Sequence, residues 1–269
     1  MIPNILSIAG SDPSGGAGIQ ADIKAISANG CYAMAAITAL TAQNTQGVRG
    51  FTIVAPDMIS AQIVAIRDDI RIDAIKIGML GDVETVRTVA DVLKTIDAPV
   101  VLDPVMVAKG GDRLLAEEAV AALRELLLPR ATVLTPNLPE AGDLLGQETA
   151  NDIAGMRRQG ELLLALGCTA VMMKGGHLPG DHEATDLLVT RDETFELRAP
   201  RTETKNTHGT GCTLSSALAT GLGFGLTPIE AARRAKAYIG AAIAEADTLS
   251  VGGGNGPVHH FHGSRHGAA

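Results

Sequence analysis

The sequence has no tryptophan and few other aromatic residues. Its 269 residues include 2 tyrosines and 4 phenylalanines. These are too few for the stacked aromatic platforms of single-strand nucleic-acid binders, and they are unlike the usual strand composition of an all-β sandwich. The apolar residues, 46% of the chain, are mainly aliphatic residues and alanine, which suit helices packed closely on a buried sheet.

The sequence also lacks an excess of positive charge and any long hydrophobic run. Its 22 Lys and Arg residues against 30 Asp and Glu residues give a formal net charge of -8. Nucleic-acid binding needs a basic face for the phosphates, so this balance argues against a nucleic-acid partner. Residues 1–10 lack the basic region of a secretory signal, and charged or turn residues interrupt every apolar run. We therefore expect a cytoplasmic protein with no membrane partner.

Cysteine is scarce as well. The three cysteines are odd in number and far apart, so they fit neither a disulfide framework nor a Cys-x-x-Cys zinc site. Cys31 and Cys168 are predicted to be small core residues, whereas Cys212 lies in a glycine-rich motif.

Short aliphatic runs alternate with segments of helical periodicity along the whole chain. The runs show little alternation and are bounded by turn residues, which indicates strands buried on both faces. This order predicts a doubly wound, parallel α/β sheet in one domain, 1–269. A hairpin of residues 185–190 and 194–197 and two final helices complete the prediction. The six predicted parallel strands are 5–9, 34–37, 74–77, 100–102, 133–134 and 171–173.

Polar and glycine residues follow each predicted strand. In open α/β sheets, ligands bind at the carboxyl ends of the strands, so these segments are expected to line one cleft. The segments are 10–18, 41–44, 78–81, 103–105 with 109–112, 135–140 and 174–177.

Two common nucleotide motifs are absent or incomplete. Residues 16–21 fit the pattern G-x-G-x-x-A, but no acidic residue lies between Asp22 and Asp57 to hold a dinucleotide ribose. A nicotinamide oxidoreductase is thus a remote alternative, testable by cofactor binding. The P-loop pattern is missing altogether, which excludes P-loop NTPases.

The segment 206–214 contains Gly-Thr-Gly-Cys at the predicted start of a helix. Backbone N–H groups there can point at an anion, and the helix dipole adds positive potential. An isolated motif of this kind would be an ordinary N-cap. Here it is accompanied by Lys174, a cation for phosphate, and by Asn137-x-x-Glu140, which supplies the oxygen ligands that Mg²⁺ prefers.

Taken in order, the motifs of this chain resemble those of the ribokinase-like small-molecule kinases. Within that superfamily they are similar to the hydroxymethylpyrimidine/phosphomethylpyrimidine kinases of thiamine biosynthesis. The resemblance implies a three-layer αβα fold with a mostly parallel central sheet and a homodimer. It also implies transfer of phosphate from ATP, with Mg²⁺, to 4-amino-5-hydroxymethyl-2-methylpyrimidine and then to its monophosphate. The segments that carry it are 9–22, 38–45, 76–80, 135–141, 173–177, 205–213 and 256–262.

The resemblance also implies roles for individual residues. Gln43 would bind the aminopyrimidine, whose acceptor and donor edge matches a side-chain amide. Lining the same pocket would be Gly10, Asp22, Met79 and Val105. The alternatives are core packing for Met79 and a solvated helix face for Asp22.

The phosphate-binding roles come from the same resemblance. Asn137 and Glu140 would organise Mg²⁺, assisted by Asp103, which could instead cap the following turn. Lys174 would contact the ATP phosphates. The remaining residues implied at the catalytic and ATP sites are Thr207, Gly209, Thr210 and Gly211.

Cys212 distinguishes this chain from the wider superfamily, whose sugar kinases carry a catalytic aspartate at this position. A thiol at a helix N-terminus can have a depressed pKa and could act as a base. Alternatively, Cys212 is only part of the anion hole, and the sequence leaves both roles open.

Two other functions compete with the pyrimidine kinase. Pyridoxine/pyridoxal kinase shares the fold and acts on a similar hydroxymethyl group, but the Gln43 and Cys212 motifs favour the pyrimidine. A non-catalytic binding protein could retain the cleft and lose the chemistry. The intact kinase motifs argue against that alternative. Four histidines near the end of the chain match the ending of the family and are predicted to be structural, not a metal site: His259, His260, His262 and His266.

Overall fold

A computed structural model describes residues 1–106, 115–176, 178 and 183–264 of the chain. Its main sheet has eight strands in the order β10-β9-β8-β7-β6-β5-β1-β2, and a separate two-stranded sheet pairs β3 with β4. The strands are β1 (Asn4–Ala9), β2 (Tyr32–Ile37), β3 (Ala39–Asn44), β4 (Gly47–Ile53), β5 (Ala74–Ile77), β6 (Val100–Leu102), β7 (Val133–Leu134), β8 (Ala170–Met173), β9 (Asp186–Val189) and β10 (Thr194–Leu197).

Helices cover both faces of the main sheet. They are α1 (Gly18–Ala28), α2 (Pro56–Asp69), α3 (Val83–Leu93), α4 (Glu117–Ala122), α5 (Leu138–Leu145), α6 (Ile153–Leu164), α7 (Thr210–Gly223) and α8 (Pro228–Ala244). Successive side chains of β1 point to opposite faces, so Leu6 and Ile8 join one buried cluster and Ile5 joins another. The first cluster includes residues of α2, α3, α5 and α6, and the second includes residues of α1, α7 and α8. The predicted three-layer αβα architecture is confirmed.

All strand pairs of the main sheet from β2 to β8, in sheet order, are parallel. At the other end, β9 pairs antiparallel with β8, and β10 pairs antiparallel with β9. All six predicted parallel strands are present, and β9 and β10 form the predicted hairpin. Cys31 and Cys168 are buried, as predicted. Within the described ranges, no helix is both long enough and apolar enough to cross a membrane.

The β3–β4 hairpin differs from the prediction, which treated residues 41–44 as a loop after a strand. These residues belong to β3, and β3 pairs with β4 outside the main sheet. Most hairpin side chains are at least partly exposed, so the alternation that reveals a half-buried strand is weak here. The hairpin places Gln43 on an extended strand.

Candidate active site

Lys174 lies at the centre of a charged cluster beyond the carboxyl ends of the parallel strands. It follows β8, and its Nζ is 2.8 Å from Oδ1 of Asp103, which follows β6. The Thr135 hydroxyl donates to the same oxygen over 3.0 Å, and Oε2 of Glu140 lies 3.7 Å from Lys174 Nζ. Burial would raise the pKa of Asp103, but the ammonium groups of Lys174 and Lys76 outweigh this and lower it. An ionised carboxylate and an ammonium group therefore face each other at this edge.

Asn137 and Glu140 form a reciprocal capping box at the start of α5. The Asn137 side-chain oxygen accepts from the Glu140 N–H over 2.9 Å, and Glu140 Oε2 accepts from the Asn137 N–H over 2.8 Å. The box satisfies two helix N–H groups and aims the Glu140 carboxylate at Lys174. Burial is the largest influence on Glu140, and despite the opposing Lys174 ammonium it raises the pKa of this carboxyl to about 7.

The raised pKa of Glu140 predicts a pH-dependent loss of stability. The folded protein holds this proton to higher pH than the unfolded chain, so folding weakens as pH rises from 4.5 towards 7. In Mg²⁺-free buffer, Glu140→Gln should therefore gain stability relative to the wild type between about pH 5 and about pH 8. Urea unfolding of both proteins across this range measures the difference.

Glu230 provides a matched control for that prediction. It completes the same kind of capping box with Thr227 at the start of α8, but it is exposed, and hydrogen bonds from Thr227 lower the pKa of its carboxyl. The pKa of Glu230 is shifted downwards, opposite to that of Glu140. Glu230→Gln should therefore gain no stability relative to the wild type as pH rises. An equal gain in both variants would show that burial of Glu140 is not the cause.

The Gly-Thr-Gly-Cys segment lies directly over the charged cluster. Gly209 is the N-cap of α7 with φ of 78°, and a Cβ there would collide with the Gly16 carbonyl oxygen, so the position requires glycine. A Cβ on Gly211 would lie 3.3 Å from Lys174 Nζ and 3.8 Å from Asp103 Oδ2. The start of α7 thus lies beside an ammonium group, and a helix N-terminus next to a cation is an arrangement suited to phosphate.

The two threonines predicted at the ATP site flank the start of α7, with Thr207 in the loop before the helix and Thr210 as its first residue. The Thr210 hydroxyl donates to the Thr207 carbonyl over 2.7 Å, and both side chains keep some exposure. The bond fixes the loop that leads to Gly211. Their contact with ATP stays a prediction.

Cys212 lies between the starts of two helices, but its thiol is not activated as the helix N-terminus had suggested. Burial raises the pKa of the thiol to about 11, although the Lys76 ammonium and the Gly18 N–H act in the opposite direction. Loss of water thus outweighs the helix dipole at this position, and the pKa of the thiol is raised, not depressed. A neutral thiol at pH 7 fits the anion-hole role better than the role of a ready base.

Beneath the site, Lys76 and Asp22 form an ion pair with no exposed side-chain surface. Their Nζ to Oδ2 distance is 2.9 Å, and the hydroxyls of Ser7 and Ser216 donate to the Asp22 carboxylate. Burial alone would lower the pKa of Lys76, but chiefly the Asp22 carboxylate raises it above its usual value. The solvated-face interpretation of Asp22 is wrong, and its carboxylate lies below the pocket surface with its bonds already made.

Lys76 belongs to this buried charged network, and the sequence analysis did not single it out as a site residue. It stands inside the aliphatic run of β5, where an ammonium group needs a carboxylate partner. A lysine within an otherwise apolar strand was the available signal. The sequence could not identify Asp22 as its partner, because the two are 54 positions apart.

Three of the predicted pocket residues come together beside the hairpin. A Cβ on Gly10 would lie 3.0 Å from the Met79 sulfur, and Met79 packs with Val105 in a small apolar cluster. Ala39 and Ile53 of the hairpin belong to the same cluster. Gln43 lies farther along β3, where its Nε2 is 3.5 Å from Nε2 of His208. Met79 is buried in this cluster, which agrees with the core-packing alternative, and its contact with the pyrimidine stays a prediction.

Comparison with known proteins decides the family. The sequence profile of the phosphomethylpyrimidine kinase family matches residues 12–259. The chain belongs to this family. It is 54% identical over 257 residues to the hydroxymethylpyrimidine/phosphomethylpyrimidine kinase of Rhizobium meliloti, with 96% of each chain covered. The resemblance predicted from the motifs is confirmed.

Solved structures of related kinases share the fold. The phosphomethylpyrimidine kinase from Clostridium difficile 630 superposes with a TM-score of 0.79 at 42% identity, covering 90% of this chain and 99% of that one. Pyridoxal kinase of Bacillus subtilis, solved as an ADP complex, gives a TM-score of 0.89 at 37% identity, covering 97% and 98%.

Some predicted segments lie outside the described residues, namely 109–112, His177 and His266. The rest of the histidine-rich tail packs against the site loop, since the His208 N–H donates to the Gly256 carbonyl and the Val258 N–H donates to the His208 carbonyl. Among the residues with defined positions, no group of three or more His, Cys, Asp or Glu side chains could hold a metal ion. The packing supports the structural interpretation of the tail.

Proposed function

We propose that this chain transfers the γ-phosphoryl group of ATP to the hydroxymethyl group of 4-amino-5-hydroxymethyl-2-methylpyrimidine. A second transfer to the monophosphate then gives the diphosphate used in thiamine diphosphate biosynthesis. The observation that carries the proposal is the position of Lys174. It is paired with Asp103 and lies directly below the first turn of α7, on the same edge of the sheet as the Gly10 and Met79 pocket.

The residues of this edge supply what phosphoryl transfer requires, namely positioning and stabilisation of charge. The Lys174 ammonium and the N–H groups at the start of α7 hold the transferring phosphate. Because they are fixed before reaction, they need no rearrangement as negative charge redistributes in the transition state. Gln43, Met79 and Val105 hold the pyrimidine so that its hydroxymethyl group faces the phosphate.

The residues present fit a magnesium ion. Mg²⁺ binds one or two carboxylates together with substrate phosphates, and Asp103 and Glu140 are buried carboxylates at the phosphate-binding edge. Burial raises the pKa of Glu140, and a further cation beside it would favour its ionised form. When bound, Mg²⁺ would neutralise charge on the ATP phosphates. Asp103 and Glu140 would hold it, with Asn137 orienting Glu140 through the capping box.

Products from ATP, Mg²⁺ and hydroxymethylpyrimidine test the proposal directly. Mass spectrometry should find the monophosphate first and the diphosphate later. Monophosphate alone would reject the second transfer, and absence of any product would reject the kinase assignment. Failure to form ADP with pyridoxal as well would favour the non-catalytic alternative.

Pyridoxal kinase is the second candidate because pyridoxal kinases share this fold closely. The sequence favours the pyrimidine, since identity to the Rhizobium meliloti kinase is 54% against 37% to the Bacillus subtilis pyridoxal kinase. We expect kcat/KM to be higher for hydroxymethylpyrimidine than for pyridoxal. The reverse order would reassign the substrate.

Cys212→Ser separates the two roles of the thiol. A general base contributes roughly 10²–10⁴-fold and would act only on the alcohol, because the phosphomonoester acceptor is already ionised. With a neutral thiol, we expect kcat/KM for both acceptors to fall by factors within about threefold of each other. Steady-state kinetics on the alcohol and on the monophosphate measure this. Selective loss on the alcohol would restore the base role.

The assembly, domain organisation and location of the chain are also proposals. We propose a homodimer of single-domain subunits that acts in the cytoplasm. The β3–β4 sheet supports the dimer because it exposes 55% of Leu40 and 42% of Phe51. Light scattering should give twice the chain mass of 27.7 kDa, and Leu40→Asp should shift it towards the monomer. A monomeric wild type would contradict the proposal.

A further inference from the structure

The β3–β4 hairpin lies outside the main sheet but is anchored at its base to the loop after β1. The Ser11 N–H donates to the Ala39 carbonyl over 2.8 Å. The Thr41 N–H donates to the Ser11 hydroxyl over 3.2 Å, and the Thr41 hydroxyl donates to the Ser11 carbonyl over 2.9 Å. These bonds fix the first half of β3. Gln43 follows two residues after Thr41 and therefore lies beyond this anchor.

A second anchor holds the tip of the hairpin, where Thr45 lies in the turn between β3 and β4. The Thr45 carbonyl accepts from the Asn255 N–H over 2.8 Å, and the Thr45 hydroxyl accepts from the Gly254 N–H over 3.2 Å. Both donors belong to residues 252–256, which we call the strap. The tips of loops are usually among the most mobile parts of a fold. This tip is instead bonded to a segment that follows it by 209 positions.

The strap packs closely against the hairpin tip through two of its glycines. A Cβ on Gly254 would collide with the Thr45 carbonyl group and with the backbone nitrogen of Gln46. A Cβ on Gly252 would collide with the Thr45 side chain. A Cβ on Gly253, between them, would meet no atom of the described residues within 4 Å. Of these three consecutive glycines, the two outer ones are thus required by contact with the hairpin.

The other end of the strap is fixed to the loop before α7. The Gly256 N–H donates to the side-chain oxygen of Asn206 over 2.9 Å, and the Gly256 carbonyl accepts from the His208 N–H over 3.0 Å. The side-chain nitrogen of Asn206 donates to Oδ1 of Asp247 over 2.7 Å, which holds Asn206 itself in place. This loop leads into Gly209, the N-cap of α7. One short segment therefore bonds both the hairpin tip and the loop that begins the phosphate-binding turn.

We propose that the strap positions Gln43 for the pyrimidine by tying the hairpin tip to the loop before α7. The inference rests on the proposed function, in which Gln43 holds the pyrimidine and the start of α7 holds the phosphate. Because Thr41 and Thr45 are both anchored, the strand between them is fixed although much of its surface is exposed. When the tip is released, only the fraction of molecules with the hairpin in place can bind, and the affinity falls by that fraction. The strap residues are positioning residues.

Gly253 and Gly254 provide a matched pair of substitutions. Neither has a positive φ, so alanine restricts the backbone similarly at both positions, but only at residue 254 does the added Cβ meet the hairpin. We expect Gly254→Ala to weaken hydroxymethylpyrimidine binding about tenfold, and Gly253→Ala to stay within about twofold of the wild type. Isothermal titration calorimetry gives the dissociation constants. The KM for ATP should stay within about twofold in both variants.

Substitutions of Thr45 break the same contact from the hairpin side. Valine has the shape of threonine but no oxygen to accept from the Gly254 N–H, whereas serine keeps that oxygen. We expect Thr45→Val to weaken pyrimidine binding about fivefold, and Thr45→Ser to stay within about twofold of the wild type. In a Gln43→Leu background, Gly254→Ala should add no further loss, because the strap then has no amide to position.

Hydrogen exchange gives a readout that does not depend on the ligand. In Gly254→Ala, the amides of residues 41–47 should exchange at least about fivefold faster than in the wild type and in Gly253→Ala, because the tip is released. Mass spectrometry of peptides that cover this segment measures the rates. Unchanged exchange in Gly254→Ala would overturn the proposal.

The binding results separate this inference from the proposed function. Equal weakening by Gly253→Ala and Gly254→Ala, or the same loss with and without Gln43, would overturn the proposal while leaving the pyrimidine pocket intact. Unchanged binding in Gln43→Leu would instead refute the pocket assignment in the proposed function, and the inference with it. If Gly254→Ala fails to fold, the Thr45 variants still decide. Wild-type affinity in Thr45→Val, or an equal loss in Thr45→Ser, would overturn the proposal.

Discussion

Replacing Lys174 by methionine should reduce kcat for phosphoryl transfer by at least about 10²–10³-fold, because removing one preorganised charge partner from a transition state has this effect. The loss should be largest in kcat, since the lysine stabilises charge during transfer as well as binding ATP. Steady-state kinetics at saturating ATP and hydroxymethylpyrimidine would measure it. The structural reason is the placement of Lys174 Nζ within 3.3 Å of a Cβ position on Gly211, at the start of α7.

The variant also removes the partner of Asp103, so stability and catalysis must be separated. Lys236 offers a matched control, because its Nζ lies 2.7 Å from Oδ2 of Asp186 in a second buried ion pair. Lys236→Met should lower the melting temperature in a similar way but keep kcat within about threefold. A comparable loss of kcat in both variants would mean that lost folding, and not lost phosphate binding, explains the effect.

Breaking the Lys76–Asp22 pair should have the largest effect on stability. Removing one partner of a buried ion pair typically costs about 3–5 kcal/mol, because the remaining charge is left without compensation. Lys76→Met leaves the Asp22 carboxylate facing only the hydroxyls of Ser7 and Ser216. We expect its free energy of unfolding, measured with urea near neutral pH, to fall by about this amount.

A second substitution tests the cause of that loss. Asp22→Asn in the Lys76→Met background removes the unpaired charge and keeps an oxygen that accepts from one of the serines. We expect the double variant to recover most of the lost stability. If it is less stable than Lys76→Met, the packing of the two side chains and not their charge dominates.

Local charges reconcile a chain of net negative charge with a phosphate site. The formal charge of -8 belongs to the whole molecule, whereas the positive potential at this edge comes from the Lys174 ammonium and the start of α7. Lys174 is paired with Asp103, and Lys76 is paired with Asp22 beneath the site. These ion pairs hold both ammonium groups in place.

Much of the fold could be predicted from the sequence, because strands buried on both faces leave unbroken aliphatic runs. β6 and β8 are clear examples. The β3–β4 hairpin was missed because most of its residues are partly or fully exposed and form no aliphatic run.

The site residues divide in the same way, into those with a local sequence signal and those without one. Lys174 and Gly211 lie in recognisable motifs, whereas the partner of Lys76 and the contacts of His208 join residues far apart in the chain.

The sequence by itself determined the layered α/β architecture, the kinase family and the set of polar groups at the strand ends, because periodicity and local motifs depend on neighbouring residues. Only the tertiary structure decided the protonation and the ion pairing of those groups. Burial raised the pKa of Cys212 and Glu140, and the pairing of Asp22 with Lys76 placed a charge pair inside the core. These effects depend on desolvation and on distances between remote segments, which exist only once the chain has folded.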